Sequence, residues 1–390
     1  MSLIRKMTLF VASFSALLLS GCGDDIKYNM REGVTEISRE VYELHMIAIW
    51  VCVVIGIITF GVMFYSMFAH RKSKNPNPAK FSHSTAVEIV WTAIPFIILI
   101  ALAVPAVGLL IKMEDASDSD LTIMVKGYQW KWEYKYIDGD DNLANDVRFF
   151  SNLDQASRDM SRNAGSGFSG VKIEDDNYLL EVDNPLVIPV DKKVRFLVTS
   201  DDVIHSFWVP DFSVKKDAIP GFINEVWTKV DEPGTYRGVC AELCGQDHGF
   251  MPIVVKVLPQ NEYDAWYAGK VAEAEAGPDL NERTMSQLMA EGEAAYNKYC
   301  SSCHMPNGEG NGPFPSLVGT EMITGEGSLT KHIDTVINGV PGTAMQAFGS
   351  QLTEAEIAAI ITYERNAWGN DTGDKVQPQE IHDIKNGGGE

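Results

Sequence analysis

The sequence is short of positive charge: 32 Lys+Arg stand against 53 Asp+Glu, a net −21. Nucleic-acid binding needs a basic face, so that class is excluded. Cysteine is scarce too, six in 390 residues, too few for a disulfide-stapled scaffold. Mean hydropathy is −0.07, which excludes a polytopic transporter and leaves room for one or two spans. Apolar residues are not lacking: they make up 45% against 22% charged, which rules out a mostly disordered or collagen-like chain. A chain of 390 residues divides into two or three domains.

The N-terminus carries Arg5 and Lys6, an apolar stretch from Met7 to Leu19, then Ser20-Gly21-Cys22. This reads as an exported leader over 1–22, too short to span as a helix. Leu19-Ser20-Gly21-Cys22 also resembles the bacterial lipobox, which implies acylation of Cys22. Two later runs are long enough to cross a bilayer: Met46–Ala69, 24 residues without charge, and Ile89–Ile111, with Pro95 and Pro105 inside it. Together they define a hairpin over 23–113. Arg71, Lys72, Lys74 and Lys80 lie between them, so that loop faces the cytoplasm and both hairpin ends face the periplasm. Cys52, mid-span, reads as a small apolar residue. Glu88 opens the second span, either as a helix-start carboxylate or as a proton-uptake group. After residue 112 the chain holds 46 acidic and 22 basic residues, a field that steers basic partners.

From Leu121 the pattern becomes strand-like, over 121–136, 178–190, 193–200, 224–230, 235–239 and 253–258, with Gly, Pro and Asp between. Such spacing predicts an antiparallel sandwich over 119–259, with 138–177 as a polar surface insertion. Its last loop reads Cys240-Ala241-Glu242-Leu243-Cys244-Gly245-Gln246-Asp247-His248-Gly249-Phe250-Met251, with His205 upstream. Two thiols, two imidazoles and a thioether form a soft donor set for copper or zinc. A Cys240–Cys244 disulfide is the competing reading.

His205 with Cys240-x-Glu242-x-Cys244-x-x-x-His248-x-x-Met251 resembles the dinuclear copper (CuA) motif of cytochrome c oxidase subunit II. The resemblance runs from about residue 40 to 260 and includes Gly127-Tyr128-Gln129-Trp130-Lys131-Trp132 and Lys216-Asp217-Ala218-Ile219-Pro220-Gly221. It implies a cupredoxin-like domain in which both Cys bridge two coppers and His205, His248 and Met251 complete the site. It also implies that the Glu242 carbonyl binds copper, while its side chain helps hold magnesium against subunit I. Trp130 would lie on the path of electrons to the copper. Glu88, three residues before Trp91, matches the carboxylate at the mouth of the family's lysine proton channel.

A polar, Ala/Glu-rich helical linker (260–283), broken at Gly277-Pro278, leads to an amphipathic helix, Met285–Tyr299, ending in Cys300-Ser301-Ser302-Cys303-His304. That is a haem c attachment signal: Cys300 and Cys303 bind covalently and His304 ligates the iron. A thioredoxin-like reading lacks the βαβ pattern it needs. The sixth iron ligand falls among Met345, His332 and Met322. Met345, on a loop before a capped last helix (Thr353 to Glu356), suits best. The layout over 284–369 resembles an all-α class I cytochrome c, and 370–390 reads as a loose tail.

These expectations converge on an oxidase subunit II with a fused cytochrome c domain, anchored in the bacterial inner membrane with its redox domains in the periplasm. Its partners would be subunits I and III, a donor cytochrome c, and lipid. A free membrane-anchored electron carrier, the CuA subunit of another reductase such as one for nitric oxide, and a copper-delivery lipoprotein are the alternatives. The two-span hairpin with Glu88 argues against carrier and chaperone.

Overall fold

The structure, a computed structural model, describes residues 29–77, 80–137, 147–164 and 177–387. The leader and Cys22 lie outside these residues, as does most of 138–177. Helix α1 (Glu36–Ala69) and helix α2 (Thr85–Glu114) form the hairpin; α1 begins ten residues before its apolar run and ends with it, and α2 extends past its run at both ends. Thr35 caps α1 through reciprocal bonds with Ser38. Apolar side chains along both helices are exposed, as a lipid-facing pair requires. At the periplasmic end Lys112 Nζ lies 2.7 Å from both Glu36 and Glu40. Trp227 Nε1 donates to the Lys112 carbonyl at 3.2 Å, tying the hairpin to the domain above it.

That domain is a two-sheet sandwich. One sheet runs β3(Arg148–Ser151), β2(Lys131–Ile137), β1(Leu121–Tyr128), β5(Lys193–Ser200), β8(Asn224–Lys229). The other runs β4(Leu186–Pro189), β10(Pro252–Leu258), β9(Gly234–Cys240), β6(His205–Val209), β7(Val214–Ala218). Pairing is antiparallel except for β1–β5 and β4–β10. Alternating inward side chains fill the space between, with Ile123, Trp132, Tyr134, Phe196 and Phe207 fully buried. Each such side chain contributes roughly 2–3 kcal/mol relative to exposure.

Two stretches differ from their expected form. The aromatic run over 121–136 is broken at Gln129-Trp130, where β1 turns back to pair with β2 (Tyr128 opposite Lys131). The segment expected as a surface insertion supplies edge strand β3 and helix α3 (Gln155–Ala164), with Val147, Leu153, Ser157 and Arg158 buried. The linker is helical as expected, α4 (Gln260–Glu275), and its Trp266 and Tyr267 pack on Tyr136 of the sandwich.

The C-terminal domain is helical: α5(Met285–Tyr299), α6(Ser301–His304), α7(Glu321–Thr324), α8(Leu329–Asn338), α9(Glu354–Asn366) and α10(Pro378–Lys385). Helices α5 and α9 cross closely because Gly292 has no side chain; a Cβ there would sit 2.2 Å from the Ala359 carbonyl oxygen. The stretch expected as a loose tail is ordered through Lys385. Val376 and Ile381 are buried in this core, and Asp374 pairs with Arg365 at 2.6 Å. Those two aliphatic residues give the stretch an apolar anchor that its Gly-rich composition hides.

Candidate metal centre and the domain seam

Strands β9 and β10 pair so that Val239 lies opposite Pro252, and the loop from Cys240 to Met251 closes their end. Strand β6 runs beside β9, with Phe207 opposite Cys240, and the two-residue period puts His205 on the same face. The result is one cluster. Cys240 Sγ lies 3.9 Å from Cys244 Sγ, 3.9 Å from His205 Nδ1 and 3.4 Å from the Glu242 carbonyl oxygen. Cys244 Sγ is 3.4 Å from His248 Nδ1 and 3.5 Å from Met251 Sδ. All six residues singled out in the sequence therefore meet at one place. The thiols are too far apart to be bonded to each other, and both are free.

Surrounding groups fix the geometry. His205 Nε2 is bonded to Asp202 Oδ1 at 2.9 Å, so Nδ1 faces Cys240 with its lone pair. Burial works against a charged His205, but the bonds to Asp202 and Cys240 raise its pKa overall. The Cys244 thiol bonds to Cys240 and, against the effect of burial, holds the Cys240 thiol far below its usual range; Cys244 is pushed up in return. Trp130 Nε1 and Gln129 Nε2 both donate to the Cys244 carbonyl, at 3.2 and 2.9 Å, and Trp132 Nε1 donates to the Met251 carbonyl at 3.2 Å. Gly127 is required beneath His205, since a Cβ there would lie 2.8 Å from the imidazole. This buried, soft, five-donor set fits two copper ions better than a hard cation. The Glu242 side chain, by contrast, is exposed.

In the helical domain, Cys300 ends α5, and Cys303 and His304 lie on α6. His304 Nδ1 is bonded to the Pro315 carbonyl at 2.9 Å, which leaves Nε2 as a lone-pair donor for iron and fits a haem c. Met345 sits on the loop between α8 and α9, its carbonyl accepting from Val340 N at 2.9 Å. His332 is buried, with Nε2 bonded to Glu364 at 2.7 Å and Nδ1 without a hydrogen-bond partner. Met322 is on α7. Glu88 lies in the first turn of α2.

The two soluble domains meet at the metal loop, a contact that sequence reasoning missed. Ser302, between Cys300 and Cys303, accepts at its carbonyl from Gln246 (3.1 Å) and donates its hydroxyl to Asp247 (2.5 Å). Gln346 donates to the Gln129 carbonyl at 3.2 Å and to Asp202 at 3.3 Å. Between these contacts Lys131 is only 4% exposed. Its ammonium lies 4.8 Å from the ring centre of Phe150, 5.1 Å from that of Tyr299 and 5.5 Å from that of Phe348. The signal available was a lysine inside an aromatic strand.

Residues 121–258 match the family described as cytochrome c oxidase subunit II, periplasmic domain, and residues 24–109 its transmembrane domain. Residues 287–363 match cytochrome c oxidase, cbb3-type, subunit III. A probable cytochrome c oxidase subunit 2 of Rickettsia bellii is 41% identical over 240 residues, 60% of this chain and 80% of that protein. Cytochrome c oxidase subunit 2 of Cyanidium caldarium is 34% identical over 266 residues, 68% of this chain and 99% of that protein. Among solved structures, the periplasmic domain of cytochrome oxidase subunit II of Bradyrhizobium japonicum is similar at 37% identity and a TM-score of 0.34, covering 40% of this chain and 98% of that one.

Lys131 generates a pH prediction. Burial pushes its ammonium down to about 8, with Glu356, Glu133 and Cys300 acting to raise it and Lys298 to lower it. The folded value lies below the unfolded one of about 10.4. The packed state therefore carries the whole penalty of a buried cation below pH 8 and sheds it as pH rises toward 10. Thermal midpoints of the wild type should climb over that window relative to Lys131→Met. Parallel curves for the two proteins would show that Lys131 does not titrate there.

Proposed function

This chain belongs to the cytochrome c oxidase subunit II family, and on that premise we propose that it takes electrons from a donor cytochrome c into its C-terminal domain and delivers them through its copper domain to the haems of subunit I. It carries a CuA-type copper site, a cytochrome c domain, and two membrane-spanning helices bearing a periplasmic domain. When bound, the copper pair and haem c supply reversible one-electron storage, which serves the reduction of oxygen to water and the proton pumping of the assembled complex. The observation that carries the reading is the meeting of two thiols, two imidazoles and a thioether within 3.4–3.9 Å of a neighbour.

In this reading Cys240, Cys244, His205, His248, Met251 and the Glu242 carbonyl would hold the copper pair, with Nδ1 of each imidazole facing a thiol. Asp202 orients His205. Trp130 couples the surface turn to the Cys244 backbone through its indole N–H. The exposed Glu242 side chain supports a magnesium site shared with subunit I, and subunit III completes the partner set. Acylation of Cys22 would add a lipid anchor, readable from the mass of the mature N-terminal peptide. Cys300 and Cys303 would attach the haem covalently, and His304 and Met345 would hold its iron; His332, with its unpartnered Nδ1, is the specific alternative to Met345.

Copper analysis tests the first part. The full chain should bind two coppers and give one mixed-valence spin-resonance signal shared by both nuclei. Cys240→Ser or Cys244→Ser should abolish that sharing, because one thiolate cannot complete both spheres. One copper per wild-type chain, or zinc instead, refutes the dinuclear site, and an assembled complex without magnesium removes the Glu242 role.

Met345→Ala should lower the haem potential and slow reduction by the donor while the copper signal stays unchanged, since thioether ligation raises the potential. The same change in His332→Ala or Met322→Leu, and none in Met345→Ala, would reassign the ligand.

Glu88→Gln should slow turnover of the assembled oxidase with both metal spectra intact, because it removes a proton acceptor on the cytoplasmic side. Unchanged turnover would reduce Glu88 to a helix-start carboxylate.

A further inference from the structure

Electron transfer between two domains needs only brief contact, yet these two share a seam built at three separate places. Ser302, inside the haem-attachment segment, is gripped by Gln246 and Asp247, which lie between Cys244 and His248. Gln346, the neighbour of Met345, covers the Gln129–Trp130 turn from the other side. At the rim, Lys298 pairs with Asp183 at 2.7 Å and Arg148 donates to the Ser350 carbonyl at 3.3 Å. Lys131 is enclosed at the centre by rings of both domains, Phe150 on one side and Tyr299 and Phe348 on the other. An encounter surface leaves its lysines in water; burying one demands a tight fit around it.

We propose that this seam is a standing interface in which the cytochrome domain permanently caps the Gln129–Lys131 turn, so that a soluble donor protein is admitted to the cytochrome domain and denied the copper domain. The inference rests on the electron route above and sharpens it: the haem domain becomes the single point of arrival. The surface left for the donor is acidic, with five basic and thirteen acidic residues over 284–387, so the partner it fits is a basic electron-carrying protein.

The test uses the full, metal-loaded chain in detergent and a carbodiimide, which joins amines to carboxylates already in contact. In the wild type, Lys298 should be linked to Asp183, and the yield should hold when a large excess of a basic soluble cytochrome is added. That cytochrome should be linked to carboxylates of the helical domain and not to Asp201 or Asp202. Lys131→Glu places a carboxylate near Glu133 and Glu356, and Gln346→Glu places one against Asp202 without touching the copper domain. Each should lower the internal link about tenfold and open Asp202 to the donor, with copper and haem spectra unchanged. An internal link that the donor competes away, a donor joined to Asp202 in the wild type, or wild-type yields in both variants would overturn the proposal. A wild type that forms the link yet passes no electron from reduced haem to copper would instead sink the electron route and leave the seam standing.

Discussion

Two thiols held 3.9 Å apart in a buried loop are the constraint around which the rest is arranged. At that separation they can share a proton or a metal, and an apolar interior does not tolerate them charged and alone. Everything nearby limits their freedom. The β9–β10 ladder closes the loop, β6 delivers His205, and indole N–H groups of Trp130 and Trp132 hold the carbonyls of Cys244 and Met251. A site fixed in this way changes its charge without moving its ligands, which is what rapid one-electron exchange requires.

The same rigidity reaches the helical domain. The Gln129-Trp130 turn is bonded to the metal loop on its inner side and to Gln346 on its outer side. The loop that carries Met345 and the loop that carries Cys244 thus share one small piece of backbone. Helix α4 adds to this: packed on Tyr136 through Trp266 and Tyr267, it shortens the tether that would otherwise let the domains part.

What could be read from the sequence follows from where its information is local. Ligands are legible because Cys240-x-Glu242-x-Cys244-x-x-x-His248-x-x-Met251 and Cys300-x-x-Cys303-His304 carry their chemistry in residue type and spacing. The spans are legible because lipid demands uninterrupted apolar runs. Edge strand β3 was not, since Arg148–Ser151 is four residues inside a polar stretch and owes its form to pairing with β2. The ordered tail was not, because Val376 and Ile381 are few among Gly and Asp. Helix α4 was legible as a helix, but its docking was not: Tyr263, Trp266 and Tyr267 at helical spacing form an apolar face that a polar composition hid. The seam lay beyond reach: Lys131 is exceptional only once a second domain covers it.

The membrane end obeys a complementary logic. Lys112 binds Glu36 and Glu40 and ties the two helices together, while Lys216–Glu114, Arg39–Asp231 and the Trp227 indole join the hairpin to the sandwich, so the cationic loop lies at the opposite end of both helices. From Glu88 to Lys112 the helix rises about 36 Å. One end of α2 therefore lies at the cationic loop, and the other meets the sandwich that carries the metal loop. These cross-domain contacts fix how deep the hairpin sits relative to the metal loop. A chain that must face a polytopic partner on both sides of a bilayer needs such a fixed span, whereas a carrier held by lipid alone has no use for one.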